Sequence, residues 1–365
     1  MQQINPVSVF TAPTMVQLGR RVLFGVGLTS LVLMVFWLWF TWGTVQRSQF
    51  QRMSVGGTLI AGHFENYLNF VGADLDRLGD DLTRAKALQN PSQALSILNE
   101  FKRRHPDVVG ATVILPDGQI AASTELDKNA SPPNVLANPD WREDFYNNLK
   151  ASGLSVNRTQ LSYLTHKWII PIRYTVRDSR GRVVFLLQTA IFVDRQQNLW
   201  RNLKFAENAA VGLLRTDGYL ISRYSAVAKA TSENYQGKVG GALFQAIQKN
   251  ADAGTYMGTT VDGSTRYGYY QRLKHYPLYA FLSYPKSTFI AMWWQGVRLP
   301  VFMILGVLFA SIVLYRVLAG RFARRMRFVQ QSMQDTGVSL ATPCSSGVSE
   351  IDQLNYPRQS RGLTG

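Results

Sequence analysis

The chain has 365 residues, of which only 17% are charged, below the roughly 25% usual for soluble domains, with a net charge of +16 and one cysteine. The deficit is local: no charge falls between Arg21 and Arg47, a stretch that includes Leu31-Val-Leu-Met-Val-Phe-Trp-Leu-Trp-Phe-Thr-Trp42. A membrane helix needs about 20 such residues, so a purely soluble protein is excluded.

The run is too long for a signal-peptide core, and no small-x-small cleavage pattern follows it. Residues 22–46 therefore read as an uncleaved transmembrane helix after a cytoplasmic N-terminus, 1–21. A second uncharged run, Leu299–Tyr315, lies between Arg298 and the cluster Arg316, Arg321, Arg324, Arg325, Arg327. With Arg316 snorkelling, it predicts a second span over 297–320. The net charge divides into +2 before Arg47, +10 over 47–298 and +4 beyond. Arg20, Arg21 and the late cluster flank the spans, which predicts cytoplasmic termini and a large middle segment outside. There the basic residues Arg77, Lys128, Arg182, Lys229 and Lys274 are scattered, as on a solvated surface, which argues against a nucleic-acid partner. Cys344 falls on the predicted cytoplasmic tail, so the outer segment has no disulfide and no Cys-based metal site.

Within 47–107 the apolar residues Ala61, Phe64, Leu68, Val71, Leu75, Leu78 and Leu82 recur at spacings of three and four. This predicts a long helix continuing from the first span, extending roughly 50 Å over 48–82. Its stripe is expected to pack on its own domain, with the upper part also forming the seam of a homodimer. A helix over Ser92–Phe101 follows the Asn90-Pro91 break.

Strand signals begin at Val108, where two β-rich runs flank Pro116-Asp117-Gly118, a hairpin turn. The pattern recurs 100 residues on: Asp217-Gly218 matches Asp117-Gly118, Leu213 matches Val113 and Leu220 matches Ile120. Each copy continues alike. In the first, a helix over Asp140–Leu149 precedes strands at Trp168–Thr175 and Arg182–Phe192. In the second, a helix over Gly241–Lys249 precedes strands at Gly254–Thr260, Thr265–Arg272 and Leu278–Tyr284. The prediction is an α+β chain with two one-sheet modules, 108–204 and 205–290, joined by a helix over Arg195–Leu203.

This arrangement resembles the double Cache (PAS-like) extracytoplasmic sensors of bacterial transmembrane signalling proteins, over roughly residues 45–290. The two Asp-Gly hairpins, the helix start Asn138-Pro-Asp-Trp-Arg-Glu-Asp-Phe-Tyr146 and the closing Arg266–Tyr279 stretch carry it. The second module is most similar to sensors attached to diguanylate cyclases. The resemblance implies two PAS-like modules on the long helix, flanked by two transmembrane helices in an inner membrane, and a pocket for a small molecule in the first module. Trp141, Arg142, Tyr146, Arg158, Tyr163, His166, Trp168, Arg173 and Tyr174 fall in the pocket-forming stretch, where aromatics can enclose a ligand and an Arg can pair with its carboxylate. Amino-acid-sensing members share an Arg followed by a Trp-Tyr pair and an Asp on the last strand. Here the order is Trp141-Arg142 with Phe145-Tyr146, and Ala190 stands near the Asp position, which argues against an α-amino acid and leaves an organic acid, another small metabolite or no ligand at all.

Catalytic signatures are missing. No Gly-x-x-x-x-Gly-Lys-Ser/Thr loop, Gly-x-Ser-x-Gly elbow or His-Glu-x-x-His pair occurs, and His63, His105, His166 and His275 are isolated. Asp80-Asp81 and Glu143-Asp144 read as solvated helix faces. No catalytic residue, metal site or cofactor is expected. In the tail, 321–365, Gly347–Asn355 resembles the second-helix start of a HAMP linker, but Pro357 and the glycines beyond it oppose a continuing helix. The expectation is a sensor lacking its effector; the alternative is the N-terminal part of a diguanylate cyclase, a chemoreceptor or a histidine kinase.

Overall fold

The computed structural model describes residues 15–126, 131–193, 208–225, 233–259 and 263–335. The predicted linker helix Arg195–Leu203, the HAMP-like stretch and Cys344 lie outside the described residues. Contacts divide the chain into two units: 45–291, and 1–44 with 292–365.

The second of these is built from two apolar helical stretches. Helix α1, Met15–Arg84, contributes its first part, and α5, Lys286–Asp335, contributes all but its first turns. Both helices are long and apolar enough to cross a membrane by length and composition. Most of their large apolar side chains, among them Phe24, Trp39, Met303 and Phe309, are exposed, the reverse of a soluble protein's core helix. The two stretches run alongside each other. A Cβ at Gly19 would sit 2.9 Å from Tyr315 Cε2, and the Trp42 and Trp293 rings meet edge-on at 5.8 Å. Trp293 Nε1 donates to Thr41 Oγ1 at 3.1 Å.

Unit 45–291 holds two antiparallel sheets backed by the rest of α1. The first comprises β1 (Val108–Ile114), β2 (Ile120–Ser123), β3 (Gly153–Val156), β4 (Gln160–Leu161), β5 (Trp168–Arg177) and β6 (Val183–Phe192), ordered β2-β1-β6-β5-β3 with β4 beside β5. The second comprises β7 (Ala210–Arg215), β8 (Leu220–Ser225), β9 (Ala253–Thr259), β10 (Thr265–Arg272) and β11 (Leu278–Pro285), ordered β8-β7-β11-β10-β9. Helix α2 (Pro91–Arg104) starts from an Asn90 cap, α3 (Pro139–Lys150) from an Asn138 cap, and α4 is Ala242–Lys249.

The internal repeat is reproduced in detail. Gly118 and Gly218 hold φ of 84° and 94° at the two Asp-Gly turns, where a side chain would be strained. Both hairpins slip register at the same place, between Val113 and Ile114 and between Leu213 and Leu214. Each turn then accepts one returning bond: Val135 N donates to Gly118 O, and Val239 N to Gly218 O. Strands β3 and β4 are additions to the predicted set. Gly153-Leu-Ser-Val and Gln160-Leu are short and half-polar, so they pair by tertiary contact with β5 rather than by propensity.

The α1 stripe from Ala61 to Leu82 is wholly buried against these sheets. Gly57 and Gly56 of α1 approach Tyr269 and Leu282 of the second sheet, and Gly72 and Gly79 approach Leu154 and Val176 of the first. This corrects the expectation that the stripe also forms a dimer seam: it is spent within its own domain up to Leu82. The apolar residues α1 leaves exposed are others, Val55, Leu59 and Phe70. Polar clamps hold the helix in place. Glu65 accepts from Lys274 N and His275 N at 2.8 and 2.9 Å, and Asp74 Oδ2 lies 2.9 Å from His105 Nε2.

Candidate ligand cavity

Because β5 lies between α1 and α3, its alternate residues serve two faces. Tyr174 and Val176 turn to α1, where Tyr174 OH donates to Asp76 Oδ1 at 2.6 Å. Burial and this bond push the Tyr174 hydroxyl up to about 12. Ile169, Arg173 and Thr175 turn the other way; Thr175 Oγ1 donates to Asn148 O of α3, and Ile169 and Arg173 line a cavity of about 520 Å³. Such a volume lies in the usual range for small-molecule sites, roughly 300–1,000 Å³.

Arg173 is the single charged residue among the described residues of the lining. It is 1% exposed. Its Nε donates to Gln188 Oε1 at 2.8 Å, while its buried Nη1 finds no hydrogen-bond partner among the described residues. Burial pushes the guanidinium down to about 10, with only Asp144 acting in the opposite sense. Asp144 cannot serve as its direct partner because others hold it: Arg158 Nε at 3.0 Å and Arg215 Nη1 at 3.4 Å. The rest of the wall is neutral, with Thr112, Asn134, Gln160, Ser162 and Gln188 offering hydroxyls and amides around Ile114, Ile120 and Trp141. A buried cation ringed by neutral donors and acceptors is what a small anion's site requires.

Of the sequence candidates, the structure brings Trp141, Tyr163 and Arg173 to this cavity, with Tyr163 exposed at the rim. The others lie elsewhere. Arg142 is exposed and donates through Nε to Leu136 O at 2.8 Å; Tyr146 is half exposed on α3. His166 sits on the exposed turn before β5 with φ of 52°, and Tyr174 is on the opposite face of its strand. Trp168 borders a neighbouring cleft, its ring 5.9 Å from Tyr235. Arg158 belongs to a polar junction between the two sheets: it bonds Asp144, lies 4.9 Å above the Tyr219 ring and donates to Asp140 O. Next to it, Thr159 Oγ1 donates to Ile221 O at 2.6 Å. These are shape and packing outcomes that residue type cannot announce.

Gln188, Asn134, Gln160 and Ser162 were not among the candidates. One signal was available: Gln188 is the lone amide in the apolar run Val183–Phe192, and a polar residue in a buried strand needs a partner. Asn134 instead works as a cap, its Oδ1 accepting from Leu136 N.

No family model matches the sequence, and no curated protein matches it. Solved structures do match the fold. The extracellular domain of rpHK1S-Z16, assigned as a histidine kinase, is 15% identical, covers 67% of this chain with 98% of its own, and superposes with a TM-score of 0.55. That of soHK1S-Z6, with the same assignment, is 13% identical over 68% of this chain and 98% of its own, at 0.51. The ligand-binding domain of the Pseudomonas fluorescens chemoreceptor CtaA, in complex with L-isoleucine, is 15% identical over 68% and 98%, also at 0.51. At these identities the likeness is one of fold: this chain contains a fold shared with extracellular sensor domains.

Proposed function

We propose that this chain is an inner-membrane sensory protein of the double Cache type, and that its first module takes a small organic acid whose carboxylate pairs with Arg173. The buried Arg173 Nη1, without a hydrogen-bond partner among the described residues, carries this reading. The shared fold with sensor domains and the two membrane-length helices support it. CtaA was solved with an amino acid, and such a ligand offers the same carboxylate. Its ammonium group, however, would need an acid, and among the described residues the cavity has none. A hydroxy, keto or simple alkanoic acid fits the neutral wall better.

Ligand binding would act on α1 through one residue step. Arg173 faces the carboxylate, and the next residue, Tyr174, holds Asp76 on α1. Closing the cavity around an anion therefore loads the strand that grips the helix, the two-state element that signalling needs.

The test is calorimetry on the full chain in nanodiscs, with a panel of hydroxy, keto and alkanoic acids beside L-isoleucine. At least one acid of the panel should fill a site that Arg173→Met removes. The same variant should keep stability within about 1 kcal/mol, because an apolar chain of similar length replaces a costly buried charge. The assignment fails if no acid of the panel loses a binding site in Arg173→Met.

A further inference from the structure

The second module contains a cavity of its own, of about 370 Å³, in the equivalent place. Strand registers establish the equivalence. Ile114 opposite Ile120 corresponds to Leu214 opposite Leu220, and the bridge from Gln119 to Asn134 corresponds to that from Tyr219 to Lys238. Leu214, Leu220 and Lys238 all line the second cavity, as their counterparts line the first.

Its chemistry has been rearranged. Where the first module has Thr112, Gln188 and Arg173, the registers place Gly212, Phe281 and Tyr270. Tyr270 turns its hydroxyl to Ala246 O and Asn250 O, and Phe281 presents a ring to the cavity. Positive charge enters from other positions instead. Arg223 occupies the place of Ser123, Arg266 that of Ile169 and Lys238 that of Asn134. Arg223 and Arg266 are 8% and 2% exposed while lining the cavity. Arg266 is oriented by its bonds to Ser264 Oγ at 3.0 Å and Asn208 O at 3.1 Å, and Lys238 Nζ lies 5.6 Å from the Tyr219 ring. Helix α4 begins at the same wall, with Gly241 as a cap that contributes no side-chain bond.

We propose that the second module is a separate ligand site, for a small carboxylate carrying an aromatic or alkyl body. The planar guanidinium fork matches a carboxylate, and the apolar lining of Leu214, Leu220, Leu243, Tyr256 and Phe281 suits the body of the ligand. The inference rests on the duplicated architecture and not on the Arg173 site.

The test uses the full chain in nanodiscs, with phenylacetate as probe and 2-phenylethanol as its neutral counterpart. In the Arg173→Met variant, phenylacetate should still titrate one site per chain, and 2-phenylethanol should bind at least roughly tenfold more weakly. Arg266→Gln should weaken phenylacetate by roughly tenfold or more, and Arg266→Lys by less. The proposal fails if phenylacetate binding disappears with Arg173→Met, if no saturable binding appears up to roughly 10 mM, or if the neutral alcohol binds equally well. Should circular dichroism show that the Arg266 variants do not fold, the two probes on the Arg173→Met protein decide the matter alone. Phenylacetate binding identical in wild type and Arg173→Met would support this site while counting against phenylacetate at the first.

Discussion

Asp144 shows how much rests on one residue. It is buried on α3 and takes Arg158 from the turn between β3 and β4 and Arg215 from β7 of the second sheet. Burial disfavours its charged form, but Arg215 and Arg158 outweigh that and hold the carboxyl below its ordinary range. A folded-state value below the unfolded one makes its contribution complete above the unfolded pKa of about 3.9, and lost as pH falls further through the folded value. Asp144→Asn should thus cost about 1–3 kcal/mol at neutral pH, since it takes the shared carboxylate from two half-buried cations, of which Arg215 keeps Asp217 and Arg158 keeps Asp140 O. It should also flatten the decline of melting temperature below about pH 4; an unchanged acid limb would refute the assignment. The sequence placed Asp144 on a solvated helix face beside Glu143. Its partners come from distant segments, Arg158 in the first module and Arg215 in the second.

At the scale of elements, α1 matters most, and its glycines separate close packing from open surface. A Cβ at Gly79 would meet Val176 Cγ2 at 2.7 Å, whereas one at Gly62 meets nothing within 4 Å. Gly79→Ala should destabilise by about 1–2 kcal/mol despite the better helix propensity, because the packed strand cannot yield easily. Gly62→Ala should stabilise by about 0.5–1 kcal/mol. Thermal unfolding of both variants checks the contrast, and equal effects would show that α1 does not press on the sheet. The period of the stripe was readable in the sequence, since spacings of three and four leave one face apolar. What that face meets was not, because a heptad looks the same whether a sheet or a second copy covers it.

For the whole molecule, the proposed topology puts Cys344 inside and the modules outside. An impermeant maleimide should leave Cys344 unmodified in intact spheroplasts and label it after lysis. With Cys344→Ser, a Ser179→Cys probe on the exposed turn before β6 should label without lysis; the reverse pattern would overturn the orientation. The homodimer is proposed on the exposed face of α1 bearing Val55, Leu59 and Phe70. In the Cys344→Ser background, Leu59→Cys should cross-link to a second copy under oxidation, and a chain that stays monomeric would exclude that face.

Composition and periodicity alone determined the two membrane-length helices, the long helical stripe and the repeat at an interval of 100, because each is a property of residue type and spacing along the chain. The resemblance to double Cache sensors delivered Arg173 as a candidate, though without a reason to prefer it to Arg142 or Arg158. The tertiary structure made that choice. Arg142 reached water and a backbone carbonyl, Arg158 reached Asp144, and Arg173 was enclosed beside Gln188 with one nitrogen unsatisfied. Burial and partnership are relations between distant segments, so no local pattern could have ranked three arginines that differ only in what folding brings to them.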